Sequence, residues 1–143
     1  MSESRPIRLL LVEDNPGDVD LTREALEAGP RRFEISIAAD GPAALARLEG
    51  EPPYARDKLP DLILLDLNLP KMNGQRVLAR IRQTEALRQI PVVILTSSAA
   101  HQDVISSYAF GASCYVTKPI GLDAFRSAVR AVETFWFSVA RLP

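Results

Sequence analysis

The sequence predicts an α/β fold: one doubly wound, parallel, five-stranded sheet with helices on both faces. Three observations predict it. Five short apolar runs are spaced along the chain. Longer amphipathic stretches of helical period separate them. Several of the apolar runs end on an acidic, hydroxyl or basic residue. Continuous apolar runs, in place of strict alternation, mark strands covered on both sides, which parallel strands are.

The elements follow in order. Leu9–Val12 is the first strand, and Glu13-Asp14 closes it. Leu21, Ala25 and Ala28, with Val19 and Leu26 beside them, form the first helix, which Gly29-Pro30 stops. Ile35–Ala39 is the second strand. Ala43, Ala44 and Leu48 mark a short helix that ends near Gly50. Glu51–Pro60, with three prolines and mixed charge, reads as a surface loop. Leu62–Leu65 is the third strand, ending in Asp66. Val77, Leu78, Ile81 and Leu87 mark the third helix. Val92–Leu95 leads to Thr96. Val104, Ile105, Tyr108 and Ala109 form the fourth helix, closed by Gly111. Cys114–Val116 leads to Lys118-Pro119. A long last helix carries Leu122, Phe125, Val129, Val132 and Trp136. Right-handed crossovers between the strands put these helices on both faces.

Composition narrows the function. The 143 residues hold 17 basic against 18 acidic side chains, a net charge of −1. No global basic field points to nucleic acid. One cysteine, Cys114, allows no internal disulfide, is expected to be a small buried hydrophobe, and fits a reducing cytoplasm. No run approaches the ~18 apolar residues of a membrane span, and the apolar start is too short for a signal-peptide core. The expectation is a cytoplasmic protein with no membrane partner.

Ligands of open parallel sheets bind outside the carboxyl ends of the strands, where strand order reverses. In the order 2-1-3-4-5 this crevice collects Glu13, Asp14, Asp66, Thr96 and Lys118, and leaves Asp40 outside. Three carboxylates cannot sit together ionised without a counterion. An all-oxygen donor set suits a hard cation such as Mg²⁺. An aspartate is a competent nucleophile for phosphoryl transfer, with Mg²⁺, Lys118 and the Thr96 hydroxyl stabilising the equatorial oxygens. Of three lysines, Lys58 and Lys71 sit in loop-like contexts while Lys118 ends an apolar strand. Pro119 is a candidate for a cis bond that would fix the direction of Lys118. Taken one at a time these residues have ordinary readings. Asp14 or Asn15 suits a helix cap, and His101 suits a helix start.

VEDN at Val12–Asn15, LLDLNLPKMNG at Leu64–Gly74, ILTSS at Ile94–Ser98 and YVTKP at Tyr115–Pro119 resemble the receiver domains of two-component response regulators. The four motifs occur in order and at strand ends, and the resemblance covers essentially the whole chain. It implies a flavodoxin-like (βα)5 fold, with 1–143 as one receiver domain, a core of about 7–137 and no output domain. It implies Asp66 as phosphoacceptor. Mg²⁺ would be held by Glu13, Asp14, Asp66 and the backbone carbonyl of Asn68. Thr96 and Lys118 would bind phosphoryl oxygens, and Tyr115 would be the switch aromatic that turns inward as Thr96 moves. The donor would be a sensor histidine kinase.

The Pro-rich insertion, the ILTSS stretch and the ending Phe135-Trp136-Phe137-Ser138 with Leu142-Pro143 look like the small regulators that serve bacterial phytochromes. Pro119 is the general receiver form, where some of those relatives differ. Ser97 is larger than the Ala or Gly common there, which bears on phosphorylation kinetics. Tyr108, Phe125, Trp136 and Phe137 would leave an apolar patch beyond the sheet. That patch predicts a homodimer through the fourth helix, fifth strand and fifth helix. Three other functions compete with this one. A phosphatase of the haloacid dehalogenase type needs a second Asp where Asn68 stands. A flavin carrier needs a phosphate loop free of Glu13, Asp14 and Asp18. A passive docking module would not require a complete set of site residues.

Overall fold

A computed structural model of the chain describes residues 6–28, 32–50, 59–66, 69, 71–96 and 114–117, with the side chains of 95, 96 and 114–117 outside the description. Its elements are β1 (Ile7–Val12), α1 (Pro16–Glu27), β2 (Phe33–Ala38), α2 (Gly41–Leu48), β3 (Leu62–Leu65), α3 (Gly74–Gln83), β4 (Val92–Thr96) and β5 (Cys114–Thr117). The strands form one sheet in the order β2-β1-β3-β4-β5, and every neighbouring pair is parallel. The expected parallel sheet and its order are therefore observed, with β1 and β2 starting two residues earlier than their apolar runs suggested, while the expected fourth and fifth helices lie outside the described residues.

Alternate side chains of β1, β3 and β4 enter two separate cores, which is why these runs are apolar throughout. Leu10, Val12, Ile63, Leu65, Val92 and Ile94 pack with Leu48, Val77, Leu78 and Ile81 beneath α2 and α3. Leu9, Leu11, Leu62, Leu64 and Val93 pack with Ala25 and Leu26 of α1 on the other face. Burying one such Leu or Ile contributes about 1.5–3 kcal/mol, and this burial selects the register.

Each helix begins on a side-chain cap. Asn15 Oδ1 accepts from the Asp18 N–H at 3.1 Å, and Pro16 occupies the first turn, where its missing N–H costs nothing. Asp40 Oδ1 accepts from the Ala43 N–H at 2.8 Å. Asn73 Oδ1 accepts from the Arg76 N–H at 3.0 Å. Gly50 follows Glu49, the C-cap of α2, and its φ of 74° is the left-handed conformation that Gly adopts without strain.

Two residues assigned to helices by their spacing lie just past them. Ala28 is the C-cap of α1. Leu87 follows α3 but is fully buried, because the turn after the helix folds it back into the core. Arg82 stabilises that turn, donating to the carbonyls of Arg88 at 2.7 Å and Ile90 at 2.9 Å. Partial burial lowers the pKa of its guanidinium.

Candidate metal and phosphoacceptor site

The site grows out of the sheet register. Val12 of β1 lies beside Leu65 of β3, and the Asp66 N–H donates to the Val12 carbonyl at 3.0 Å. The Glu13 N–H donates to the Ala38 carbonyl at 3.0 Å, which extends β1 by one residue toward β2. Glu13 and Asp66 therefore leave adjacent strands at the same level. The chain then turns into α1. The Asn15 N–H donates to Glu13 Oε2 at 3.3 Å, so the residue that caps the helix also holds the longer carboxylate arm.

One carboxylate oxygen from each of Glu13, Asp14 and Asp66 lies within 4.8 Å of the other two. Glu13 is 3% exposed and Asp66 7%, whereas Asp14 is exposed. The cluster thus has a buried floor and an open side. Its donors are all oxygen, two of them withdrawn from water. That chemistry fits a hard divalent cation, which takes carboxylate ligands and keeps some of its own water.

Thr96 is the last residue of β4 and lies opposite Thr117 of β5, while Tyr115 lies opposite Ile94. Since Leu65 pairs with Ile94, the backbones of Asp66 and Thr96 end at the same rim of the sheet. Asn68, Lys118 and Pro119 lie outside the described residues, as do Tyr108, Phe125, Trp136 and Phe137 of the expected dimer face.

Asp40, at the end of β2, stays apart from the cluster, as expected from its outer position. Besides capping α2, its Oδ2 lies 3.3 Å from Lys71 Nζ. The Ala43 N–H above all, and Lys71 in addition, hold its carboxyl below the usual carboxylate range against the opposing effect of burial. Lys71 has a φ of 67°, a left-handed conformation uncommon outside Gly. In sequence Lys71 stands in a loop-like context and Asp40 after the second strand, and their pairing was not foreseen. Nothing in local pattern links two residues on separate strand–helix loops.

At the opposite rim, a shallow cleft is lined by Arg8, Leu9, Leu10, Glu34, Ser36, Arg47 and Pro60. Among the described residues, no helix is long and apolar enough to cross a membrane.

Residues 9–130 match the family model described as the response regulator receiver domain. The chain is 44% identical over 142 residues to the response regulator Rcp1 of Synechocystis, spanning 99% of this chain and 97% of that protein. The crystal structure of the Mn²⁺-bound form of Rcp1 superposes with a TM-score of 0.90 at 43% identity, covering 96% of this chain and 99% of the other. The phosphorylated cyanobacterial phytochrome response regulator RcpA gives a TM-score of 0.92 at 42% identity, covering 97% and 99%.

Proposed function

The chain belongs to the response regulator receiver family, and from that premise we propose that it accepts a phosphoryl group on Asp66 from a sensor histidine kinase, a phytochrome kinase in particular. The observation that carries this reading is the meeting of Glu13, Asp14 and Asp66 at the carboxyl ends of β1 and β3. The likeness to Rcp1 and RcpA supports the choice of donor.

Glu13, Asp14 and Asp66, with the Asn68 carbonyl, would hold Mg²⁺. When bound, the cation neutralises the carboxylates and attracts phosphoryl oxygens. An Asp66 carboxylate oxygen attacks phosphorus; the P–O bond forms as the P–N bond to the kinase imidazole breaks, and the imidazole takes up a proton. Lys118 offers an ammonium to one phosphoryl oxygen, and Thr96 donates its hydroxyl to another. Thr96 ends β4, next to β5 in the sheet. A change at Thr96 is therefore passed to Tyr115, and the face around Tyr115 alters its partners. Tyr108, Phe125, Trp136 and Phe137 belong to the homodimer surface in this reading, and light scattering that finds only monomer at high concentration, with and without a phosphoryl analogue, rejects that part.

The central test is Asp66→Asn. It should abolish acid-labile labelling by acetyl phosphate or kinase while circular dichroism reports an intact fold. Labelling equal to wild type moves the acceptor elsewhere.

A further inference from the structure

We infer that Gly41 and Met72 position the loop that follows Asp66, so that the absence of a side chain at position 41 sets the divalent-cation affinity of the Glu13–Asp14–Asp66 cluster. The inference rests on the reading of that cluster as a cation site.

Gly41 opens α2 and is buried. A Cβ there would stand 2.9 Å from Met72 Cβ, 2.9 Å from Val77 Cγ2 and 3.1 Å from the Met72 carbonyl oxygen. None of these atoms is the free end of a flexible side chain, so a wedge at 41 cannot be relieved by rotating one tip away. Gly41 is not among the positive-φ residues; the requirement is for space, not for an unusual backbone.

The loop on the other side of this contact is fastened at several points. Leu69 is buried in the core beneath α2 and α3. Lys71 is in the left-handed region and 3.3 Å from Asp40. Asn73 caps α3. Met72 packs on the same cluster that contains Leu65, Leu69 and Val77, and Leu65 is the residue before Asp66. Close-packed interiors pass small displacements on to their neighbours. A wedge between α2 and Met72 is thereby felt at the end of β3. Loss of a hydrogen-bonded partner behind a metal ligand changes metal affinity by ~10–100-fold, and a wedge that acts through packing alone is set at the low end of that range.

The test is Mg²⁺ titration by calorimetry of wild type, Gly41→Ala, Met72→Ala and Asp66→Asn. It is joined by amide hydrogen exchange across Leu69–Arg76 in the metal-free proteins. Gly41→Ala should raise the Mg²⁺ dissociation constant about tenfold and speed exchange in that segment. Met72→Ala should move both in the same direction by less. A glycine with a merely structural role would lower the unfolding midpoint and leave the affinity of the folded protein unchanged. A folded Gly41→Ala protein binding within about twofold of wild type overturns the inference. If that variant does not fold, unchanged affinity in Met72→Ala overturns it instead. Should wild type take up no Mg²⁺, the cation-site reading falls and takes this inference with it. Should wild type bind, Asp66→Asn fail to bind and Gly41→Ala match wild type, only the inference falls.

Discussion

At the outer corner of the sheet, the aspartate after β2 is fully engaged within the fold: Asp40 caps α2 through the Ala43 N–H and pairs with Lys71. At the centre, where strand order reverses, Asp66 after β3 sits in a cluster with Glu13 and Asp14. Both are strand-end aspartates followed by a loop and a helix. The outer one lowers its charge's free energy with partners supplied by the chain. The inner one lies beside two further carboxylates, an arrangement that a bound cation would relieve. Position separates them: Asp66 directly follows β3 beside the Glu13-Asp14 end of β1, whereas Asp40 lies two residues past β2 and caps α2.

The comparison can be broken most decisively at the centre. Mg²⁺ at about 100 times its dissociation constant should raise unfolding free energy by ~2.7 kcal/mol if it binds only the folded chain. Thermal melts with and without Mg²⁺ measure this, and Asp66→Asn should lose most of the gain. Equal gains in both proteins would mean that the inner carboxylates do not act as a cation site.

At the corner the expected effects are smaller. Asp40→Ala should cost about 1 kcal/mol through loss of the cap, and Asp40→Asn only a few tenths, since Asn caps equally well. The sign with pH follows from the direction of the shift. The folded carboxyl titrates below its unfolded value, so its contribution is complete above the unfolded value of about 3.9. It is lost as pH falls through the folded value. The stability gap between wild type and Asp40→Ala, from urea unfolding, should therefore be constant near neutrality and narrow only below about pH 4. A gap that narrows nearer pH 6.5 would assign the effect to another group, such as a histidine.

The smallest effect should come from Lys71→Gly. The lysine is 69% exposed in its side chain, and exposed ion pairs contribute roughly 0–1 kcal/mol. Removing a left-handed non-Gly residue returns a comparable amount. Net stability should change by no more than about 0.5 kcal/mol, measured by the same urea series. A loss several times larger would show that the corner depends on the ion pair rather than on the cap and the packing at Gly41.

The sequence by itself determined the sheet. Runs such as Leu9–Val12 and Leu62–Leu65 have no polar face, and a strand covered on both sides buries them; the order β2-β1-β3-β4-β5 was legible only through the family resemblance. It also marked the members of the cluster, since the pair Glu13-Asp14 and the single Asp66 directly follow apolar strands. Helix ends were less legible, as Leu87 shows: its burial comes from a turn that folds back, not from helical period. Tertiary structure alone decided that Asp40 meets Lys71 and that Gly41 leaves room for Met72. Those contacts join separate strand–helix loops. They depend on the distance between α2 and the loop after β3, a quantity fixed by core packing and written in no local pattern of residues.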